Sequence, residues 1–435
     1  MTANSETAGT WDEWLDDRMR GFPTGHDPLP AHAIAGRAWR PQDGRMALPL
    51  LSLDLDAFDH NAAVMMGHLA DRGALIAPHA KTPMSVTLSR RLVAAGAWGA
   101  TVADARQASV LLEGGVSRLV LANQVGGRGG ADRLAALMGH HPLAELFVFV
   151  DSRAGVAALA DAWRAETQRL GVMPSLGLLI ELGTDRAGVR SLKEAQALID
   201  GIADLPDDGG VTLAGVATYE GAVTAPDYEQ TLRGVDALLK DVADLHQRVR
   251  ASVGPARPLI VSAGGSVWFD RVLDHLGPLA RQGRTRLLLR SGALFFHDDG
   301  VYGDAMEAMT ARGGHPQGEF RPALRLWAEV LSRPEPDLAI VGLGMRDAAS
   351  DRGLPVARQL WRGGSAIDGA ERLTLVKLND QHGFVRVDPA GATPEIGDVV
   401  EFGISHPCTN LDRHGLIWGL GPDHVVREIL PTSFG

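Results

Sequence analysis

The sequence is poor in lysine and almost without cysteine. Its 42 basic residues include only four lysines, Lys81, Lys193, Lys240 and Lys377, and its one cysteine is Cys408. A single cysteine excludes an intrachain disulfide, and a cytosolic compartment fits best. No apolar run approaches the roughly 18 residues of a membrane span. The N-terminal "MTANSETAGTWDEWLDDRMRG" is acidic and lacks the apolar core of a secretory signal. Surplus positive charge is also missing. The formal net charge of -11 disfavours nucleic acid or an anionic membrane as a partner, since either calls for a basic face.

What is present reads as a globular chain with 45% apolar and 22% charged residues. At 435 residues it is too long for one ordinary domain and suggests two, unless one is a barrel. Residues 1–45 read as an arm, with a turn or two of amphipathic helix at "TWDEWLDDRM" and a loop at "GFPTGHDPLP". The arm offers no credible ligand set and is expected to pack on the barrel or on a partner copy. "LPLLSLDLDAF" then gives a short strand near residue 51.

A regular alternation follows. Short apolar runs occur at "ALIAPHA", "WGATVA", "RLVLANQ", "LFVFVDS", "LGLLIEL", "LAGVATYEG", "PLIVSAGG" and "RLLLRSG", with helix-like segments in most gaps. Such runs mean strands buried on both faces, hence a parallel sheet. Eight units point to a closed (β/α)8 TIM-type barrel over residues 46–295. A doubly wound sheet is the alternative, weakened because no G-x-G-x-x-G follows the first strand. From about 296 to 435 the texture is strand-like, with Gly, Pro and Asp turns, and reads as a C-terminal β-rich domain. The strand near 51 precedes the barrel count and is free to join that domain.

Functional residues of such a barrel sit at the C-terminal ends of its strands. Those ends supply His79 and Lys81, Glu181, Tyr219 and Glu220, Gly264, Gly265 and Ser266, and Arg290, Ser291 and Gly292. If the first strand continues to Lys81, His79 and Lys81 share a face. A desolvated lysine amine is a nucleophile suited to an aldehyde, which an arginine cannot be; position alone leaves a solvated strand-end lysine equally open. Lys193 and Lys240 read as solvated helix faces. Glycines in "SAGGS" and "RSGAL" could offer backbone N–H groups to a phosphate, with Ser266 capping the next helix. Lysine for an aldehyde and donors for a phosphate together describe pyridoxal 5'-phosphate (PLP). In "GISHPCTN", His406 and Cys408 stand two apart, both zinc-type ligands, although spacing alone favours a buried cysteine beside an ordinary histidine.

"APHAKTPM", "GAWGATVADARQA", "LANQVGG", "VDS" and "ELGTDRAGV" resemble the alanine-racemase-type (fold-type III) PLP enzymes, closest to the D-serine dehydratase and D-threonine aldolase branch. The likeness runs from about residue 49 to the C-terminus. It implies a PLP barrel followed by a β-domain, and usually a head-to-tail homodimer. It also implies that Lys81 is the Schiff-base lysine, that Arg186 lies near the cofactor's phenolic oxygen and that Tyr219 lies near its pyridine ring. Gly264, Gly265, Ser266 and Gly292 would hold the phosphate, although "SAGGS" departs from the family's richer Gly/Thr stretch. His406 and Cys408 match a His-x-Cys metal pair, for Zn2+ or another divalent ion, with Asp412 and His414 as polar neighbours.

The expected activity is β-elimination from D-serine or a D-threo-3-hydroxy amino acid, giving a 2-oxo acid and ammonia. In it Lys81 moves the α-proton, with His79 beside it, and the metal helps hydroxide leave. The rival at the same site is aldol cleavage to glycine and an aldehyde. Racemization is a third option, and a non-catalytic PLP carrier is a reading from another class.

Overall fold

Eight strands, none longer than the seven residues of Val211–Ala217, form one parallel sheet. They are Leu75–Ile76, Ala100–Val102, Arg118–Leu121, Glu145–Val150, Leu176–Glu181, Val211–Ala217, Leu259–Ala263 and Thr285–Leu289. These are the eight runs expected from the sequence. The structure is a computed structural model and describes residues 14–206, 210–282, 284–314, 316, 318–388, 390 and 393–434.

Neighbours in the chain are neighbours in the sheet, and the first strand pairs with the last through Leu75–Leu288 and Ile76–Leu289. The remaining seam, between the first and second strands, is a single parallel bridge from His79 to Thr101. Ala80 N–H donates to Thr101 O (2.8 Å) and Thr101 N–H to Pro78 O (2.9 Å) across it. The barrel therefore closes on the segment that carries Lys81. Val120, Phe149, Leu179, Ile260 and Leu288 fill the interior, while Val102, Leu121, Val148, Leu178 and Val261 pack outward under the helices. Burial on both faces is why these strands read as continuous apolar runs.

The helices begin where the sequence supplies a cap. Asp54, Asp104, Ser152, Ser191 and Asp227 each accept a backbone N–H of the first turn, a contribution of roughly 1 kcal/mol apiece. Ser266 does not cap: the helix Phe269–Arg281 starts after Trp268, with no side-chain cap bond.

Beyond the barrel the sheet is antiparallel, built on the long strand Leu324–Glu335, which pairs with Val399–Gly403 and Leu338–Val341. The strand Leu50–Asp54 pairs antiparallel with Leu324–Trp327 and parallel with Leu416–Leu420, so it belongs to this sheet and not to the barrel. Two helices interrupt the texture expected after residue 296, the short Pro407–Leu411 and a longer one. Val301–Ala311 buries Tyr302, Ala305, Met306 and Met309, a helical stripe that the surrounding Gly and Asp residues disguise.

The arm departs from expectation twice. Trp14–Leu15 is a strand paired with Leu29–Pro30, not a helix, and the residues before it lie outside those described. Leu15, Phe22, Ile34, Trp39 and Met46 pack against Leu50, Trp327, Trp418 and Val426, which puts the arm on the β-domain and not on the barrel. Full burial of residues this size favours the contact by ~1.5–3 kcal/mol each. Trp418 also donates its indole N–H to Arg20 O (3.1 Å). Among the described residues no helix is long and apolar enough to cross a membrane.

Candidate active site

Lys81 lies in the turn that follows the His79 bridge, two residues past the closure, rather than on the strand itself. Its backbone N–H is 3.4 Å from His79 Nδ1, so the two residues stay together as expected. The lysine is exposed at the barrel mouth in the single chain, yet enough protein surrounds it for burial to push its amine below the ordinary lysine value. Cys408 opposes that shift, while the Arg186 and Arg290 charges add to it. Burial, then the Lys81 and Arg290 charges, hold His79 well below the usual imidazole range, so it stays neutral. Arg290 is itself buried, donating to Ser262 Oγ (2.7 Å) and Thr218 O (2.6 Å), with its guanidinium 5.0 Å from the Phe149 ring.

Beside the lysine is a stack. The Arg186 guanidinium lies 4.8 Å over the Tyr219 ring, with Arg186 Nη2 3.9 Å from the buried Glu181, which also accepts from Gln124 Nε2 (2.6 Å). A Cβ on Gly265 would sit 3.1 Å from Tyr219 Cε2, so glycine there leaves room for the ring beside the turn. Gly264 takes φ +98°, in the region that favours glycine.

The glycine turn is not free for a phosphate. Buried Glu220 accepts Gly264 N–H at 3.0 Å and Gly265 N–H at 2.5 Å, one on each carboxylate oxygen. The two amides that the sequence offers to a phosphate are thus taken by the chain's own carboxylate. Ser266 is buried next to them, and Tyr302, a residue sequence reasoning missed, is buried nearby on the helix Val301–Ala311. Burial first, then the neighbouring Cys408 and Asp298, push the Tyr302 phenol well above its ordinary value, so it remains a donor. Gly292 lies at the barrel seam, where a Cβ would come 2.5 Å from His79 O.

His406 and Cys408 do not lie on a strand, as their alternate spacing had suggested. His406 is the N-cap of the short helix Pro407–Leu411, and Cys408 is its second residue. Pro407 fixes the first helical φ and starts the turn there. The Cys408 thiol reaches the barrel mouth, 3.3 Å from Thr82 Oγ1, next to Lys81. Asp351, also missed from sequence, bonds His406 Nδ1 (2.7 Å) and accepts from Thr409 Oγ1 (2.7 Å). Contact with the Cys408 side chain first, and Asp351 next, raises the His406 imidazole to about 9. The neighbours named from sequence do other work: Asp412 pairs with Arg413, and buried His414 bonds Asp347 O (2.9 Å).

The donor chemistry fits both implied groups in part. Lys81, Arg186 and Tyr219 suit PLP, whereas the Gly264 and Gly265 amides are filled. A thiol and an imidazole suit zinc, and Asp351 on Nδ1 leaves Nε2 for a metal, an orienting arrangement common around metal-bound histidine. Among the described residues no group of three or more His, Cys, Asp and Glu side chains is poised to hold a metal, so His406 and Cys408 would offer an ion two donors only.

A lysine at the closing seam of a barrel, faced by a His-x-Cys pair from an antiparallel β-domain, defines a two-domain protein of the fold-type III class. Comparison with known proteins carries this further. Residues 53–268 match the alanine racemase N-terminal domain, and residues 323–419 match a serine dehydratase domain. The D-threo-3-hydroxyaspartate dehydratase of Delftia sp. is 30% identical over 393 residues, covering 87% of this chain and 95% of the relative. The D-threonine aldolase of Arthrobacter sp. is 26% identical over 391 residues, covering 89% and 93%. The D-threonine aldolase structure from Filomicrobium marinum superposes with a TM-score of 0.72 at 24% identity, over 89% of this chain and 96% of that one, a likeness of fold. Solved structures of similar fold include a D-threo-3-hydroxyaspartate dehydratase cysteine-to-alanine variant in the metal-free form. The chain belongs to the fold-type III PLP enzymes, in the branch of the D-threonine aldolases and 3-hydroxyaspartate dehydratases.

Proposed function

We propose that this protein is a PLP- and zinc-dependent dehydratase of D-serine or a D-threo-3-hydroxy amino acid, releasing a 2-oxo acid and ammonia. The observation that carries the reading is the contact of Cys408 with Thr82, which sets the His406–Cys408 pair against the lysine turn. Bound PLP supplies an electron sink for the α-carbon and a bound metal supplies a Lewis acid for the β-oxygen. Lys81 would carry the cofactor, and its amine, held below the ordinary value, would take the α-proton. The guanidinium of Arg186 and the ring of Tyr219 would flank the cofactor ring, and the Ser266 and Tyr302 hydroxyls are the donors available to its anionic end. Neutral His79 beside Lys81 can accept or relay a proton without adding a cation to the mouth. His406 and Cys408 would hold the metal, oriented by Asp351. Loss of the α-proton and the β-hydroxyl removes one water, and hydrolysis of the remaining enamine returns it, leaving the 2-oxo acid and ammonia. A homodimer belongs to the same reading.

The Delftia relative, a dehydratase, supports elimination, and the metal-free cysteine variant of a D-threo-3-hydroxyaspartate dehydratase supports a role for Cys408 in binding metal. The Arthrobacter relative favours a second reading, aldol cleavage at the same site. Both are tested by incubating the purified enzyme with D-serine and D-threonine and assaying keto acid and aldehyde separately. Chelation should abolish turnover of D-serine but spare β-chloro-D-alanine, because chloride leaves without a Lewis acid. Equal loss on both substrates, or aldehyde as the dominant product, would overturn the dehydratase reading.

A further inference from the structure

The N-terminal arm lies outside both family matches, which begin at residues 53 and 323. It nevertheless reaches into the loop that holds the metal pair. Arg20 places Nη1 2.5 Å from Asp347 Oδ1; the arginine is about half exposed, but the carboxylate is buried, at 4% side-chain exposure. The arm presents this guanidinium from a fixed backbone. Gly21 donates to Ala47 O (2.9 Å), Arg20 O accepts the Trp418 indole, and Phe22 is fully buried.

Asp347 is the knot of the loop 344–353. Its Oδ2 accepts Gly344 N–H (2.9 Å) and its carbonyl bonds His414 Nε2 (2.9 Å). Two residues on, Ala349 N–H donates to Oδ1 of the fully buried Asn410, whose Nδ2 donates to His406 O (2.8 Å). Two residues further, Asp351 bonds His406 Nδ1 and Thr409. At the far end Ser405 Oγ donates to Gly353 O (2.6 Å). The loop is thus sewn to the segment Ser405–Asn410 at three places, and Arg20 supplies the charge that compensates its buried carboxylate.

We infer that Arg20 is a positioning residue for the metal pair. It fixes Asp347, and through the loop it sets Asp351 and the backbone of His406 in the geometry that presents the histidine to the ion. The inference rests on the proposed role of His406 and Cys408 as metal ligands. Its physical basis is that removing one member of an ion pair leaves a buried charge uncompensated, which the loop relieves by moving. Removing a group that bonds a metal-bound histidine directly typically lowers metal affinity ~10–100-fold. Arg20 acts one layer further out, so about a three- to tenfold loss is expected.

The test is calorimetric titration of zinc chloride into metal-stripped, PLP-loaded protein: wild type, Arg20→Met, Arg20→Lys, Asp347→Asn, the Arg20→Met/Asp347→Asn double variant, and Cys408→Ala. Arg20→Met should weaken zinc binding by about three- to tenfold with the visible absorbance of the cofactor unchanged. Arg20→Lys should recover part of the loss, and the double variant should lose no more than Asp347→Asn alone. A lower melting temperature with unchanged zinc affinity in Arg20→Met would overturn the inference and leave the arm a stabilising cover. If Cys408→Ala also binds zinc like wild type, the ligand assignment fails, and the role of Arg20 fails with it. Loss in Cys408→Ala with none in Arg20→Met sinks the arm's role alone.

Discussion

Replacing Glu220 with glutamine changes one oxygen to an NH2 group at a place where both oxygens are in use. The native carboxylate accepts Gly264 N–H and Gly265 N–H, and its charge faces the buried Arg290. Glutamine can satisfy one amide; the other then meets a donor. A hydrogen bond to a charged acceptor is worth ~1.5–3 kcal/mol, and a buried donor left without a partner costs ~1–3 kcal/mol more. Arg290 also loses the carboxylate whose charge favours its guanidinium most. Relief from burying the Glu220 charge offsets part of this, and a net destabilisation of about 3 kcal/mol is expected. Glu220→Ala, which strands both amides, should fall further. Urea denaturation followed by near-ultraviolet circular dichroism measures the loss. PLP titration of the same variants should show weaker binding, because Tyr219 rests on the Gly265 turn. A Glu220→Gln midpoint equal to that of wild type would refute the assignment of both amides to this side chain.

Two further outcomes follow from the described geometry. Gly21 and Gly25 have similar φ, +88° and +79°, but a Cβ on Gly21 would fall 2.1 Å from Trp418 Nε1, whereas Gly25 has nothing within 4 Å. Gly25→Ala should cost only the ~1–2 kcal/mol of the left-handed backbone, and Gly21→Ala clearly more, read as faster proteolysis of the arm; equal cost would refute the clash. Burial depresses His246 and His414 to about 4, below the ~6.5 of an unfolded histidine. The unfolded chain therefore binds the extra protons between those values. Stability is fully present above pH ~6.5 and is lost as pH falls towards 4, by up to ~3 kcal/mol per histidine. Asp298, raised to about 6 by burial, tilts the opposite way over nearly the same window. The check is therefore the difference curve between wild type and His246→Gln, which should be flat above pH ~6.5 and slope below it. A flat difference throughout would refute the assignment.

The barrel was legible because its strands are buried on both faces, which forces apolar runs that periodicity alone can find. Lys81 and Tyr219 were legible as strand-end residues and Arg186 only through the family resemblance, and the structure places the three together. Glu220 shows where such reading stops. Glycines at a strand end advertise free amides, but which acceptor fills them depends on a side chain 44 residues earlier. Tyr302 and Asp351 were missed for a related reason: the helix Val301–Ala311 and the loop 344–353 carry no local pattern that points at a site, and only the packing of the β-domain brings them to it. The arm was expected on the barrel or a partner copy and lies on the β-domain instead, because Phe22 and Trp39, both buried there, would suit any apolar face.

The seam at His79 also fixes when the protein can be finished during synthesis. The strand Leu75–Ile76 has Thr285–Leu289 as its full-length partner, and Leu50–Asp54 waits for partners in Leu324–Glu335 and Leu416–Leu420. At ~5–20 residues per second, the lysine turn emerges tens of seconds before the strand that locks it. Cys408 arrives later still. Until then the first strands present unpaired edges, and a nascent chain cut short before the final hairpin holds Lys81 without the walls that lower its basicity. If Lys81 carries the cofactor as proposed, its site is complete only once the last barrel strand and the β-domain segment with Cys408 have been made.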